Sequence, residues 1–228
     1  MNKPSTIHEY KGLRFADFKD PQICAGFESF KRICMPHSEQ NEFYKIIENI
    51  KSNTPTMVEL GSHCCMWSLL FRQKFPHGRN ITVELKKPLY EWGKNNFRLN
   101  DYNCSSHWGG LFIEPNLKKF GPELNLKQIF KNESLTSIDL LHMDIQGSED
   151  KVILDLKKDY LDTGIIKNLI IATHSQHKHN TISKQLALSS KFNINCSYVW
   201  PAIDFNKLLT SKEKQGGDGF LTFSLKKF

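Results

Sequence analysis

The chain has 228 residues, of which 39% are hydrophobic and 11% aromatic, so it can bury a substantial core. This composition excludes a disordered chain, and no apolar run approaches the ~20 residues that a bilayer span needs. The formal net charge is +7 at pH 7, but Lys and Arg are dispersed without a long basic run. A basic, solvated surface is therefore the simpler interpretation of the charge.

The cysteines and the N-terminus indicate the compartment. The six cysteines include the adjacent pair Cys64 and Cys65 but no CxxC spacing, so they form neither a disulfide framework nor a zinc signature. The N-terminal sequence MNKPSTIHEY lacks the apolar core of a signal peptide. We therefore expect a soluble, cytoplasmic protein with reduced thiols and no membrane partner.

The first part of the chain has an irregular pattern. Residues 1–37 mix aromatic and charged positions without a sustained period, which predicts short irregular helices. Residues 38–51 begin with a suitable N-cap serine and place apolar residues at helical spacing, which predicts a core-packing helix. Together, residues 1–52 are expected to form a helical cover over the ligand site of a main domain at residues 53–228.

The stretch TMVELGSHCCMWS, residues 56–68, predicts a strand, a turn and a helix. A short apolar strand ends at Leu60, Gly61 permits a tight turn, and apolar residues from Met66 onward recur at helical spacing. Glu59 lies at the end of the strand, where α/β sheets bind ligands. Backbone N–H groups at such a junction suit an anionic ligand group. The alternative is an ordinary βα turn with one partly buried acid.

Two later segments repeat this pattern of an apolar strand that ends in an acid. One strand, residues 81–85, carries Glu84, and another ends at Asp144 before a glycine-containing turn. Further strands are predicted at residues 104–108, 165–173, 194–200 and 217–225, with helices at 88–100, 124–131 and 181–191 and after Glu149. Alternating strands and helices predict an α/β fold, with a mostly parallel sheet that helices cover on both faces.

The acids at the strand ends are candidate ligand-binding residues. Glu59 and Glu84 end consecutive strands, so a right-handed crossover brings their carboxylates to the same sheet edge. A carboxylate after the second strand is well placed to accept both hydroxyls of a ribose. The alternative for Glu84 is a surface acid paired with Lys86 or Lys87, and the alternative for Asp144 is a simple helix cap.

Three histidines, His174, His177 and His179, form the densest histidine cluster of the chain. Their spacing fits no standard zinc pattern, so the sequence does not support a divalent metal and leaves the question open. Exposed loop histidines are the main alternative. His174 directly follows a predicted strand, so it is the histidine expected to face the cleft beside Asp144, as a catalytic or substrate-facing residue.

The segments VELGSHCCMWS, VELKKP and IDLLHMDIQGSE resemble the three signature segments of the FkbM family of S-adenosylmethionine-dependent methyltransferases. The resemblance covers roughly residues 58–223. The third segment is the most specific, because that family has an aspartate at the strand tip followed by a glycine and a glutamate, as in Asp144, Gly147 and Glu149.

This resemblance implies a Rossmann-like class I methyltransferase fold, with a seven-stranded sheet whose last strand is antiparallel. It also implies S-adenosylmethionine as the cofactor. The residues that would hold it are Glu59, Gly61, Ser62, His63 and Ser68 for the methionine part, Glu84 for the ribose, Trp108 and its neighbour His107 for the adenine, and Asp144.

The expected activity is transfer of the sulfonium methyl group to an oxygen of a small molecule or glycan. The methyl group is already electrophilic, so the enzyme mainly aligns a nucleophile and removes its proton, with Asp144 or His174 as the base. RNA is an alternative acceptor because of the net charge, and an amine or amide nitrogen is another. At Cys65 and His63 the chain departs from the glycine and asparagine of the family, which motivates a non-catalytic cofactor-binding protein as a third alternative. The sequence fixes neither the acceptor nor the oligomeric state.

Overall fold

The computed structural model describes residues 6–17, 38–188, 191–199 and 219–226. The strands are β1 (Thr6–Tyr10), β2 (Leu13–Asp17), β3 (Thr56–Leu60), β4 (Arg79–Glu84), β5 (Ser105–Trp108), β6 (Leu140–Met143), β7 (Asn168–Thr173), β8 (Phe192–Val199) and β9 (Gly219–Leu225). The α-helices are α1 (Ser38–Asn49), α2 (Met66–Lys74), α3 (Lys87–Leu99), α4 (Leu126–Asn132), α5 (Glu149–Leu156) and α6 (Gln176–Ala187). A 3₁₀ helix spans Pro115–Phe120, and a π-helical turn spans Lys157–Leu161.

Seven of these strands form one sheet in the order β5-β4-β3-β6-β7-β9-β8. Parallel pairing joins β5, β4, β3, β6 and β7, whereas β9 runs antiparallel to both β7 and β8. The strands at the centre are short apolar runs because both of their faces are buried. The prediction of a mostly parallel seven-stranded sheet with an antiparallel last strand is confirmed.

Helices cover both faces of the sheet, and successive residues of each central strand face opposite layers. Met57 belongs to a core cluster with buried residues of α1, α2 and α3, whereas Val58 belongs to a second cluster with residues of α4, α5 and α6. On β6, Leu140 and Leu141 divide between the two clusters in the same way. This arrangement leaves the carboxyl ends of the parallel strands as the open edge of the sheet.

The prediction of irregular helices is wrong for residues 6–17, which form the antiparallel hairpin β1–β2. Its turn has positive φ at both Lys11 (50°) and Gly12 (79°), as tight hairpin turns require. In β2 the side chains alternate, so that Leu13 and Phe15 are buried and Arg14 is exposed. Residues 18–37, which carry the rest of that prediction, lie outside the described residues.

The hairpin is held against α3 by polar contacts that the local pattern does not reveal. The backbone N–H of Ala16 donates to the Asn96 side chain, and the indole of the buried Trp92 donates to the Ala16 carbonyl. Buried residues of β2 and α1 share one core cluster with α2 and α3. The division at residue 52 stays a prediction. Among the described residues, no helix combines the length and the hydropathy of a membrane span.

Candidate active site

A cleft of about 860 Å³ lies at the carboxyl ends of β3, β4 and β6. This is the edge at which α/β sheets bind ligands. Of the residues predicted to bind or act on ligands, six line this cleft and four, one of which is His107, do not. Those on its wall are Glu59, Gly61, Ser62, His63, Glu84 and Asp144, and those elsewhere are Ser68, His107, Trp108 and His174.

The turn after β3 approaches β6 so closely that it requires glycine. Gly61 has φ +77°, and a Cβ built there would lie 1.8 Å from the backbone oxygen of Asp144. The N–H groups of Gly61 and Ser62 both donate to the carbonyl of Val83, at 2.9 and 3.0 Å. His63 has φ 48°, a left-handed conformation that Asn, Asp and His adopt more readily than other residues. The histidine in place of the family's asparagine therefore fits the turn.

The other departure from the family, Cys65, is compensated by a glycine on α3. Cys65 has φ 61°, and burial raises the pKa of its thiol well above the ordinary value. A Cβ built on Gly93 would lie 2.4 Å from the Cys65 sulfur, so Gly93 provides the space that the thiol occupies. Cys65 keeps this left-handed backbone conformation although it is not a glycine. Its side chain fits because Gly93 on α3 leaves space for the sulfur.

We expect Gly93→Ala to destabilise the protein by about 1 to 3 kcal/mol, because the added methyl group overpacks the contact with Cys65. In a Cys65→Ala background the same change should be much less harmful, since alanine is favoured over glycine by about 1 kcal/mol within helices. Urea unfolding of the two single variants and the double variant measures this coupling. Equal effects of Gly93→Ala in both backgrounds would show that the sulfur contact is not responsible.

Glu84 is a buried residue at the end of β4, with 7% of its surface exposed, so the interpretation as a surface acid is wrong. Its Oε2 accepts from the backbone N–H of His63 at 2.9 Å, and its Oε1 accepts from that of Lys86 at 2.9 Å. Burial raises the pKa of Glu84, and these two hydrogen bonds partly oppose the rise. Glu84 therefore links the turn after β3 to the end of β4 on the cleft wall.

Glu59 is almost completely buried and faces α2. Its Oε2 accepts from the backbone N–H of Ser68 at 3.1 Å, and burial raises the pKa of its carboxyl to about 7. Ser68 is fully buried and contacts Glu59 rather than the cleft. Ser68 therefore lies behind the cleft wall, where its backbone N–H holds the side chain of Glu59 in place.

The two aromatic residues expected beside the adenine do not line the cleft. The Trp108 indole donates to the carbonyl of Leu85 at 3.0 Å, and His107 contacts Glu133 at 3.1 Å. The wall near Glu84 is instead apolar, and its residues are Leu85, Leu89, Leu111 and Ile113. The sequence signal for this wall is the apolar triplet LFI, residues 111–113, which follows Gly109 and Gly110.

Asp144 and His174 lie together, because β6 and β7 are adjacent parallel strands. His174 Nε2 is 3.1 Å from Asp144 Oδ1, and its Nδ1 is 3.1 Å from Oε1 of the fully buried Glu149. Burial lowers the pKa of His174, but hydrogen bonds to both carboxylates outweigh it and raise the pKa to about 10. Burial likewise raises the pKa of Asp144, but His174 outweighs it and holds that pKa below the ordinary value. At neutral pH Asp144 is therefore a carboxylate and His174 an imidazolium.

The three clustered histidines do not converge. His177 and His179 lie on α6 rather than in a loop; His177 is exposed, whereas His179 is buried between the hydroxyls of Thr173 and Ser197 at 3.1 and 2.9 Å. The donors that do meet, within 4.8 Å of one another, belong to Asp144, Glu149 and His174. Each ring nitrogen of His174 faces a different carboxylate, and one metal ion cannot take both nitrogens of a ring. The arrangement is that of an ion-pair network.

The cleft also contains a histidine that the sequence patterns did not single out. His142 is the polar residue of the strand LLHM, is 1% exposed, and lies opposite Glu59 in the β3–β6 register. Its ring contacts Trp67, with centroids 5.3 Å apart, and its Nε2 is 3.2 Å from Oε1 of Glu39 on α1. Among the described residues before residue 53, none lines the cleft itself, so the proposed cover finds no support in residues 6–17.

Comparison with known proteins finds similarity in structure only. No family model matches the sequence, and no curated protein matches it. A METTL16 methyltransferase domain superposes with a TM-score of 0.56 at 12% identity, covering 97% of this chain and 87% of that one. An O-methyltransferase from Bacillus cereus in complex with S-adenosylhomocysteine gives 0.54 at 12% identity, covering 91% and 92%. The human methyltransferase 10 domain containing protein gives 0.53 at 12% identity, covering 83% and 82%. At these identities the similarity establishes architecture: the chain has the Rossmann-like fold of class I S-adenosylmethionine-dependent methyltransferases.

Proposed function

We propose that this protein is an S-adenosylmethionine-dependent methyltransferase. The observation that carries the proposal is the convergence of three separate motifs on one cleft: the turn at Gly61, the buried Glu84 and the strand-end Asp144 all lie on its wall. The structural neighbour from Bacillus cereus was solved with the demethylated product of this cofactor. When bound, S-adenosylmethionine supplies a methyl group that is already activated by its sulfonium.

The residues of the cleft fit this cofactor. Gly61 lets the turn after β3 pack directly against the backbone of Asp144, so the turn and the end of β6 form one continuous part of the cleft wall. The Glu84 carboxylate would accept the ribose hydroxyls, and Leu85, Leu111 and Ile113 would exclude water around the adenine. The methionine part would then lie toward Gly61, Ser62 and His63, with Glu59 and Ser68 supporting this wall from below.

Asp144 is the group that we propose for proton removal. Its side chain is 40% exposed and lines the cleft, so an acceptor hydroxyl can reach it. His174 is the positioning residue, because both of its ring nitrogens are engaged and it holds one oxygen of Asp144 in place. Glu149 completes the network, since it accepts from His174 and from the backbone N–H of Gly147.

This network also supports a place within the FkbM-like methyltransferases. The aspartate, glycine and glutamate of the motif, Asp144, Gly147 and Glu149, act here as one hydrogen-bonded unit with His174. Gly147 has φ +125°, so the unit depends on a backbone conformation that side chains disfavour. The free thiols of the described cysteines support the reducing, cytoplasmic compartment proposed for the protein.

The charge of the cleft favours a neutral acceptor, an oxygen of a small molecule or glycan. The described lining residues include four acids, one lysine and no arginine; the acids are Glu59, Glu84, Glu114 and Asp144. A phosphate backbone requires basic contacts, so this wall disfavours RNA in spite of the net charge. The same acids would attract a cationic amine, which makes methylation of an amine nitrogen the second candidate.

Calorimetry with S-adenosylhomocysteine, followed by radiolabelled methyl transfer to sugars, phenols, amines and RNA, tests the proposal. We expect micromolar cofactor binding and transfer to a hydroxyl acceptor, on the scale of typical enzyme substrates. The absence of any cofactor binding would contradict the function, and binding without transfer would favour a non-catalytic protein. Assays with and without EDTA test for a divalent metal.

A further inference from the structure

His142 is a buried, ionisable residue on the cleft wall that the proposed reaction does not use. It lies two residues before Asp144 on β6, between the buried apolar residues Leu141 and Met143. Burial lowers the pKa of His142, but the hydrogen bond and charge of Glu39, followed by the charge of Glu59, outweigh it and raise the pKa. A protonated imidazole donates from both of its nitrogens.

The hydrogen bonds of His142 are incomplete. Its Nε2 donates to Glu39, but its Nδ1 is buried and has no partner among the described residues. A buried donor without an acceptor is energetically unfavourable, so such groups in proteins are usually satisfied by something else, a ligand included. This orphan nitrogen belongs to a residue that lines the cleft.

The sheet topology places His142 at one end of the cleft. Strands β4 and β5 lie on one side of β3, and β6 lies on the other. Glu84 ends β4, and the apolar wall residues lie in the segments that follow β4 and β5. Because neighbouring strands are ~4.8 Å apart, a ligand whose adenosine lies along β4 extends its other end toward β3 and β6. His142 therefore flanks the part of the cleft below the Gly61 turn, together with Glu59 and Trp67.

We propose that His142 binds the carboxylate of the methionine part of the cofactor, an inference that rests on the function proposed above. The imidazolium supplies the positive charge that this carboxylate requires, and the neighbouring Glu59 is placed to complement the ammonium group of the same amino acid end. Glu39 is a positioning residue, because it fixes the ring through Nε2 and leaves Nδ1 for the ligand.

Two ligands separate this role from a general effect on the site. S-adenosylhomocysteine carries the amino acid end, whereas 5′-methylthioadenosine retains the adenosine and sulfur but has neither the carboxylate nor the ammonium group. By calorimetry, His142→Gln should weaken S-adenosylhomocysteine about tenfold, the scale for a charge-assisted hydrogen bond, and leave 5′-methylthioadenosine unchanged. Glu39→Gln should show the same selectivity with a smaller loss.

The matched control is His179→Gln, which alters a buried histidine on α6 whose partners are Thr173 and Ser197. It should leave both dissociation constants unchanged. An unchanged affinity of His142→Gln for S-adenosylhomocysteine, or an equal loss for both ligands, overturns the proposal. If His142→Gln does not fold, Glu39→Gln decides by the same two criteria. Failure of the wild-type protein to bind either ligand would instead contradict the proposed function.

Discussion

Replacing Glu84 with alanine should weaken cofactor binding by about 1.5 to 3 kcal/mol, or roughly 10- to 100-fold in Kd. The carboxylate is the proposed acceptor for the ribose hydroxyls. It also accepts from the N–H groups of His63 and Lys86, so alanine leaves these two donors without their partner and loosens the turn after β3. Calorimetric titration with S-adenosylhomocysteine measures the loss.

Glu133→Ala is the matched control for this change. Glu133 is another acid with several polar partners, which are Arg79, Ser105 and His107. It lies beside β4 and β5 and does not line the cleft. Its loss should lower the free energy of unfolding and leave the cofactor Kd unchanged. A folded Glu84→Ala protein with wild-type affinity would remove Glu84 from the cofactor site.

The acids at the strand ends were predictable because their position follows from the periodicity of each strand and from the handedness of crossovers. Glu59, Glu84 and Asp144 each end an apolar run, and parallel strands bring such ends to one edge. The sequence also predicted that His174 would lie beside Asp144, because two strands joined through one helix are neighbours. These are consequences of topology that depend little on side-chain detail.

The features that were missed depend on contacts between residues far apart in the sequence. The hairpin β1–β2 is short, and its edge is held by Asn96 on α3 and Asn100 at the end of that helix, some eighty residues away. The orientation of Trp108 is fixed by the Leu85 carbonyl. A lone histidine in an apolar strand is typical of a core position, and His142 stands out only once Glu39 is placed beside it.

Asp144→Asn should reduce kcat by about 100-fold or more and leave cofactor affinity near that of the wild type. Asparagine keeps the size and much of the hydrogen bonding of aspartate but cannot take a proton from the acceptor. The carboxylate is ion-paired with His174, which lowers its pKa and fixes one of its oxygens, so Asp144 orients the acceptor hydroxyl and takes its proton as the methyl group is transferred. Loss of cofactor affinity in place of turnover would assign Asp144 to the cofactor site.

The ion pairs of His174 with Asp144 and Glu149 change the pH dependence that we expect of this residue. A histidine base would give a rate limb near its ordinary pKa of ~6.5, but an imidazolium held between Asp144 and Glu149 gives none there. Because its folded pKa of about 10 lies above the unfolded value, the stability that it contributes is complete below pH ~6.5 and is lost as the pH rises through about 10. Removing the charge of Asp144 should therefore move the pKa of His174 down toward its ordinary value, which histidine NMR titration measures.

His174→Ala tests the positioning role directly. It should lower kcat through a misplaced Asp144 and leave cofactor affinity unchanged, because His174 does not line the cleft. His174→Lys can restore a positive charge beside Asp144. It should recover part of the lost kcat if the positive charge positions Asp144, and none if the planar ring that bridges Asp144 and Glu149 is required. A fully active alanine variant would show that His174 has no role in the reaction. A rate limb near pH ~6.5 in the wild type that is absent from the alanine variant would instead show that His174 is the base.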